Sequence, residues 1–253
     1  MTTKQVKNKH AETPTVFPDP KEVNFPERRK TSVAYFFYPA YVPSNPKYPQ
    51  VFLTTPTVKF PFSLKQFEEG RGDYTMPIEI DEANPGMKTF VDKVKSYSQA
   101  FAEFAVNSLA GDDYLQIKEI CGAKIADIGM PTTEEFFKHY MRSGFEVSKG
   151  KDSSVQRTIL QVYVPREQIE NVKVFMNEEN KNSVSAASFL EEARFPHWGS
   201  ALIQYTGLSV KKGENFKPKF LLHQLRIFDD SELLPDYAEM PMKYEIADVS
   251  AMV

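Results

Sequence analysis

The chain holds a single cysteine, Cys121, among its 253 residues. One thiol can close no internal disulfide and build no cysteine zinc site. Secreted domains ordinarily carry paired cysteines, so a reducing, intracellular compartment is expected. No apolar run approaches the roughly 18 residues of a membrane helix, and the polar opening "MTTKQVKNKH" is no signal peptide. No membrane partner is expected. Glycine is scarce, at 11 residues, and the motifs built on it are missing: no P-loop, no GxGxxG and no nucleophile elbow. The four histidines (His10, His139, His197, His223) never fall at metal-ligand spacing,. Cys121 lies in the apolar run "KEICGAKIADI" and reads as a buried, inert thiol. No catalytic residue, metal or cofactor is therefore expected, and an enzyme is disfavoured.

Rings and prolines are what the chain has in quantity. It carries 20 Phe, 12 Tyr and 18 Pro. The prolines concentrate in the first 85 residues, which should be extended and irregular. The net charge of −3 is unevenly spread: residues 229–253 hold seven acids and one base, or −6, leaving +3 on residues 1–228. A mildly basic body ends in an acidic tail, although ordinary surface solvation would also produce such an asymmetry.

Residues 1–31, with four prolines and the cluster "ERRK", read as a flexible basic arm, disordered or draped over the body,. Strands are expected over 32–42, 50–55 and 72–80. In the last of these Tyr74, Met76, Ile78 and Ile80 share a face, and Pro77 implies an edge or a bulge. Phe90, Val94, Tyr97, Phe101 and Phe104 then recur at spacings of 4, 3, 4 and 3, the mark of an amphipathic helix between Gly86 and Leu109,. Thr132 and Glu135 form a capping box for a second helix. Further strands are expected over 157–164, 171–176, 200–210 and 219–228, with a short helix over 183–193. The loop "KKGENFKP" turns at Gly213.

Three strands, a long helix and then more strands define an α+β protein with a β-barrel core. The leading form is an oligonucleotide-binding (OB) like five-stranded barrel with its helix between strands three and four, plus inserted helices. Other barrels with a helical insertion fit the same order. The single domain spans 32–228, with an insertion at about 110–156, and residues 229–253 form the acidic tail. Within "VFLTTPTVKFPFSL" (51–64), Pro56 should stop a strand, leaving "VKFPF" as a stiff, irregular platform at the barrel rim.

Cations interleaved with rings are what a single-strand binder needs: charge to replace counterions on phosphate, and aromatic faces for unstacked bases. Such clusters recur at Lys59, Phe60, Phe62 and Lys65; at Arg157 with Tyr163; at His197 with Trp198; and over Lys211, Lys212, Phe216, Lys217 and Lys219. Phosphate contacts are expected from Lys59, Lys65, Arg157, Lys211, Lys212, Lys217, Lys219 and Arg226, and base stacking from Phe62, Tyr163, Trp198 and Phe216. Core packing is the competing reading of each ring.

The same stretches resemble a family. "VFLTTPTVKFPFSL", "GDYTMPIEI" followed by "FVDKVKSYSQAFAEFAVNS", and "ALIQYTGLSVKKGENFKPKFLLHQLRIF" are similar to the OB-fold single-stranded DNA-binding proteins of large nucleocytoplasmic DNA viruses, of the African swine fever virus type. More distantly they resemble those of tailed phages. The resemblance covers about 33–109 and 200–228. It implies sequence-nonspecific, non-enzymatic binding of single-stranded DNA in viral replication, recombination or repair, in host cytoplasm or nucleus. It also implies that replication proteins could be met through the acidic tail. A homo-oligomer fits this reading, and RNA is not separated from DNA, because 2′-hydroxyl discrimination depends on local geometry. The alternative is a virion structural or assembly protein working through protein contacts.

Overall fold

A bent strand, a long hairpin and one buried helix organise the molecule. In the computed structural model, residues 18–25, 28–30, 35–44, 50–61, 64–66, 72–81, 83–108, 131–149, 156–176, 183–192, 197–211 and 213–228 are described. In chain order the elements are β1 (Arg29–Lys30), β2 (Tyr35–Pro39), β3 (Val51–Thr54), β4 (Val58–Phe60), β5 (Lys65–Gln66) and β6 (Tyr74–Glu79). Then come α1 (Pro85–Ser108), α2 (Thr133–Tyr140), β7 (Phe145–Lys149), β8 (Gln156–Val164), β9 (Lys173–Met176) and β10 (Ser183–Ser185). The series ends with α3 (Ala186–Glu192), β11 (His197–Lys211) and β12 (Lys217–Phe228).

The fold is α+β, and the strands among the described residues join one twelve-stranded sheet. Five were expected. The difference lies in short ladders, such as β1 on β2 and β5 on β6, that carry too few residues to show a period in the sequence. The antiparallel pair β11–β12 is its spine. Along the outer edge of β11 run β4 (opposite 197–199), β3 (opposite 202–205) and β2 (opposite 207–211). Along the other edge of β12, Leu221 meets Tyr163 of β8 and residues 224–227 meet 173–176 of β9, both in parallel. β8 also pairs with β6 and β7. β4 lies alongside β6.

Pro56 bends the strand that it was expected to end. Thr55 spans the break: its N–H donates to the Ala201 carbonyl and its Oγ1 accepts from the Ala201 N–H, each at 2.9 Å. Pro56 needs no donor there, and the ladder resumes at Val58. The expected platform "VKFPF" is thus corrected in its first half. Val58–Phe60 is ladder strand, and Phe60 is fully buried in the core.

α1 forms where the 3–4 spacing places Phe90, Val94, Tyr97 and Phe101 on one buried face,. Asn84 fixes its start twice. Its Oδ1 accepts from the Gly86 N–H at 3.0 Å, and its Nδ2 donates to the Thr57 carbonyl at 3.0 Å. The helix end is thereby tied to the bent strand. At the middle of the helix, Phe101 packs 5.1 Å from Phe25, Tyr38 and Phe216, and Tyr97 stacks on Tyr205 at 5.4 Å. Such ring pairs add about 0.5–1.5 kcal/mol each beyond the area they bury. Burial raises both tyrosine pKa values well above their ordinary range, so both hydroxyls stay protonated,. Within the stretch read as a flexible or draped arm, residues 18–25 lie against α1. The Tyr97 hydroxyl donates to the Pro18 carbonyl at 2.9 Å, and Phe25 is buried. The Thr132–Glu135 capping box opens α2 as expected, and its two hydrogen bonds hold the Glu135 carboxyl below its usual pKa.

Candidate nucleic-acid interface

Successive side chains of a strand point to opposite faces of the sheet, and ladder partners share a face. Ala201, Ile203 and Tyr205 of β11, with Leu222, Leu225 and Ile227 of β12, belong to the core. Trp198, Ser200, Leu202 and Gln204 therefore lie on the opposite face, with Leu221, Gln224, Arg226 and Phe228 as their register partners. Between Leu202 and Ile203 the register slips by one, making His223 the extra residue of a β-bulge, a device that re-aims a side chain,.

Registers from neighbouring strands extend this face into rows. Lys59, Trp198 and Phe228 form one row. Phe175, Arg226 and Ser200 form the next, followed by Lys173, Gln224, Leu202 and Thr54. A further row runs Lys65, Thr75, Tyr163, Leu221, Gln204, Phe52. At the far end Lys219 stands beside Gly207, and Lys217 is in line with Ser209 and Phe37. Cations and rings thus share this face; Phe52 and Phe228 are buried on it, and Tyr163, Phe175 and Trp198 are partly exposed.

Two hollows open on this face. One, about 580 Å³, is walled by Lys59, Trp198, Glu79 and Arg157. Here the Lys59 ammonium stands 5.9 Å from the Trp198 ring centre, a cation–π contact, and Arg157 stands 3.7 Å from Glu79,. Gly199 makes this corner fit, since a Cβ there would lie 1.9 Å from the Arg226 carbonyl and 3.0 Å from the Phe60 ring. The other hollow, about 640 Å³, opens where β12 leaves β8 for β9, and Lys173, Gln204, Leu221 and His223 line it. His223 donates to Gln204 Oε1 at 2.8 Å and stands edge-on to Phe52 at 5.2 Å. Burial lowers its pKa to about 4, so at neutral pH it is a polar, uncharged wall and no phosphate partner,.

The residues expected from sequence fall as follows. Lys59, Lys65, Arg157, Tyr163, Trp198, Lys211, Lys217, Lys219 and Arg226 all belong to the face away from the core by register or alternation. Phe62 and Lys212 lie outside the described residues. Phe216 is a correction. It is fully buried, packed 5.1 Å from Phe101 and 5.9 Å from Tyr38, so its ring is core and offers no stacking face. Three expected cations already have carboxylate neighbours: Arg157 with Glu79, Lys211 with Glu214 at 3.7 Å, and Lys217 with Glu146. Phosphate contact by these residues must compete with those pairs.

Sequence reading missed Lys173, Phe175 and Phe228. The strand over 171–176 was legible, and with it Lys173 and Phe175 on one face. Its parallel pairing to β12 was not, and that pairing is what places both beside Arg226. Among the described residues no group of three or more His, Cys, Asp or Glu could hold a metal ion.

No known family model matches the chain, and no curated protein sequence matches it. Among solved structures it is similar to the single-stranded DNA-binding protein from bacteriophage Enc34 in complex with ssDNA, with a TM-score of 0.40 and 12% identity over 80% of this chain and 94% of that one. A C-terminal truncation of the Enc34 protein gives 0.40 and 11%, over 83% and 96%. The single-stranded DNA binding protein gp2.5 encoded by bacteriophage T7 gives 0.40 and 11%, over 81% and 95%.

Proposed function

We propose that the chain binds single-stranded DNA on the non-core face of β4, β11, β12, β9 and β8, without chemical turnover. The observation that carries this reading is the set of adjacent rows pairing Lys59 with Trp198, and Arg226 with Phe175. Phosphates displace counterions at the cations, and bases lie on the rings whatever their sequence. Strand order β4–β11–β12–β8–β6, with β4 alongside β6, supports an OB-like closed barrel behind this face,. Along the chain α1 falls between the second and third of these five strands, β6 and β8, rather than between the third and fourth as expected. The role in viral replication, recombination or repair comes from the sequence resemblance alone.

Titration with labelled oligo(dT) tests the reading. Binding tighter than about 10⁻⁴ M at low salt is expected, with affinity falling as salt rises and duplex DNA binding more weakly. Affinity looser than that limit, or insensitive to salt, would sink it.

The acidic tail, residues 229–253, competes with DNA for this face and offers replication proteins a docking element. Its removal takes away a charge of −6. Binding should tighten at low salt, and the gain should fade once the screening length shortens to about 3 Å near 1 M salt. Equal affinities of full-length and truncated chains at low salt would remove the competition from the account.

A further inference from the structure

The hollow beside Trp198 has an unsatisfied acceptor, and we infer that it seats one nucleobase and favours a base carrying an exocyclic amino group over thymine. The inference rests on the single-stranded DNA reading and adds a chemical preference to one position of the bound strand.

The volume, about 580 Å³, lies within the range of small-molecule sites,. Val58, Ile80 and Met87 give it apolar lining, Trp198 supplies a ring, and Lys59 and Arg157 stand at its walls. Six lining side chains carry an acceptor oxygen: Thr57, Glu79, Asp81, Asn84, Gln156 and Thr158. Asn84 Oδ1 takes the Gly86 N–H at 3.0 Å while its Nδ2 serves the Thr57 carbonyl. Asp81 Oδ1 takes the Ala83 N–H at 3.0 Å. Glu79 stands apart. Its Oε2 is buried with no hydrogen-bond partner among the described residues, and its 3.7 Å separation from Arg157 Nη1 is an ion pair too long to be a hydrogen bond,. A buried acceptor left unpaired is costly, and a ligand that brings an N–H to it recovers that cost.

The bases differ at this contact. Cytosine offers its N4 amino group, the partner that carboxylates accept from, whereas thymine places its O4 oxygen at the equivalent position. A carboxylate attracts the first and repels the second. Stacking on Trp198 does not separate the two pyrimidines, because every base has a π-face. The preference therefore lies in Glu79, while the flanking cations hold the backbone of either strand.

Oligo(dC) and oligo(dT) of equal length, titrated at neutral pH into the full chain and into Glu79→Gln, test this. The full chain should favour oligo(dC) about tenfold, within the range of one specific base contact. The glutamine variant can accept or donate, and its ratio should fall to about one even if both affinities rise through loss of negative charge. Equal binding of both oligonucleotides by the unmodified chain overturns the inference and leaves single-strand binding standing. A preference that survives in Glu79→Gln also overturns it. Failure to bind either oligonucleotide removes the underlying reading itself.

Discussion

Replacing Trp198 with alanine weakens single-stranded DNA binding about 5- to 150-fold, the equivalent of the roughly 1–3 kcal/mol that one base–aromatic stack contributes. The ring sits where the argument for binding is densest. It stands between Lys59 and Phe228 on one row and forms a wall of the hollow that also holds Glu79 and Arg157. Its loss also removes the π-face against which the Lys59 ammonium rests. Trp198→Phe keeps a ring and should recover most of the affinity, which separates stacking from general damage. As Trp198 is the only tryptophan, its fluorescence in the unmodified chain should quench on addition of oligonucleotide. Anisotropy titration of both variants measures the effect. An alanine variant within twofold of the unmodified chain would place the bases elsewhere.

Phe216→Ala should do the opposite: cost about 3–5 kcal/mol of stability and leave DNA affinity of the folded protein within twofold. Phe216 is fully buried and contacts the rings of Tyr38, Phe101 and Phe136. Its backbone is also held, since its N–H donates to the Tyr140 carbonyl at 2.7 Å and its carbonyl accepts from the Arg142 N–H at 2.8 Å. Truncation leaves a cavity that this frame cannot easily collapse. The shift appears as a lower denaturant midpoint at nearly unchanged slope. An alanine variant that keeps its stability but loses DNA would return Phe216 to the binding surface.

These two rings show what was legible in the sequence. α1 was, because five apolar side chains repeat at helical spacing and local periodicity suffices,. The start of α2 was, because a capping box is written in four consecutive residues,. The alternation of β8 was, with Leu160, Val162 and Val164 inward. Phe216 was not. It sits in "KKGENFKP", whose lysines, glycine and proline read as an exposed loop, and its burial depends on the end of α2, some 75 residues earlier. Phe60 failed for a similar reason, since two flanking prolines suggested a broken segment and only the partner β11 restores the ladder. On the candidate face, Lys59, Trp198 and Arg226 were found by residue type. Phe175 and Lys173 were not, because a parallel register has no signature within either strand. Turn and period signals are local, whereas the interface is made of registers.

Thr55 has a consequence of its own. The strand from Val51 to Phe60 is two half-strands on one partner, joined where a single threonine supplies both hydrogen bonds to Ala201. Both halves are anchored in the core, one by Val51 and Leu53 and the other by Val58 and Phe60. The second also presents Lys59 to the hollow beside Trp198. Such a joint acts as a firebreak. Opening of the Val58–Phe60 ladder would uncover Val58 and Phe60 and so is costly, but it can stop at Thr55 and leave Val51–Thr54 paired. A disturbance at the recognition edge is thereby kept from running along the strand into its first half.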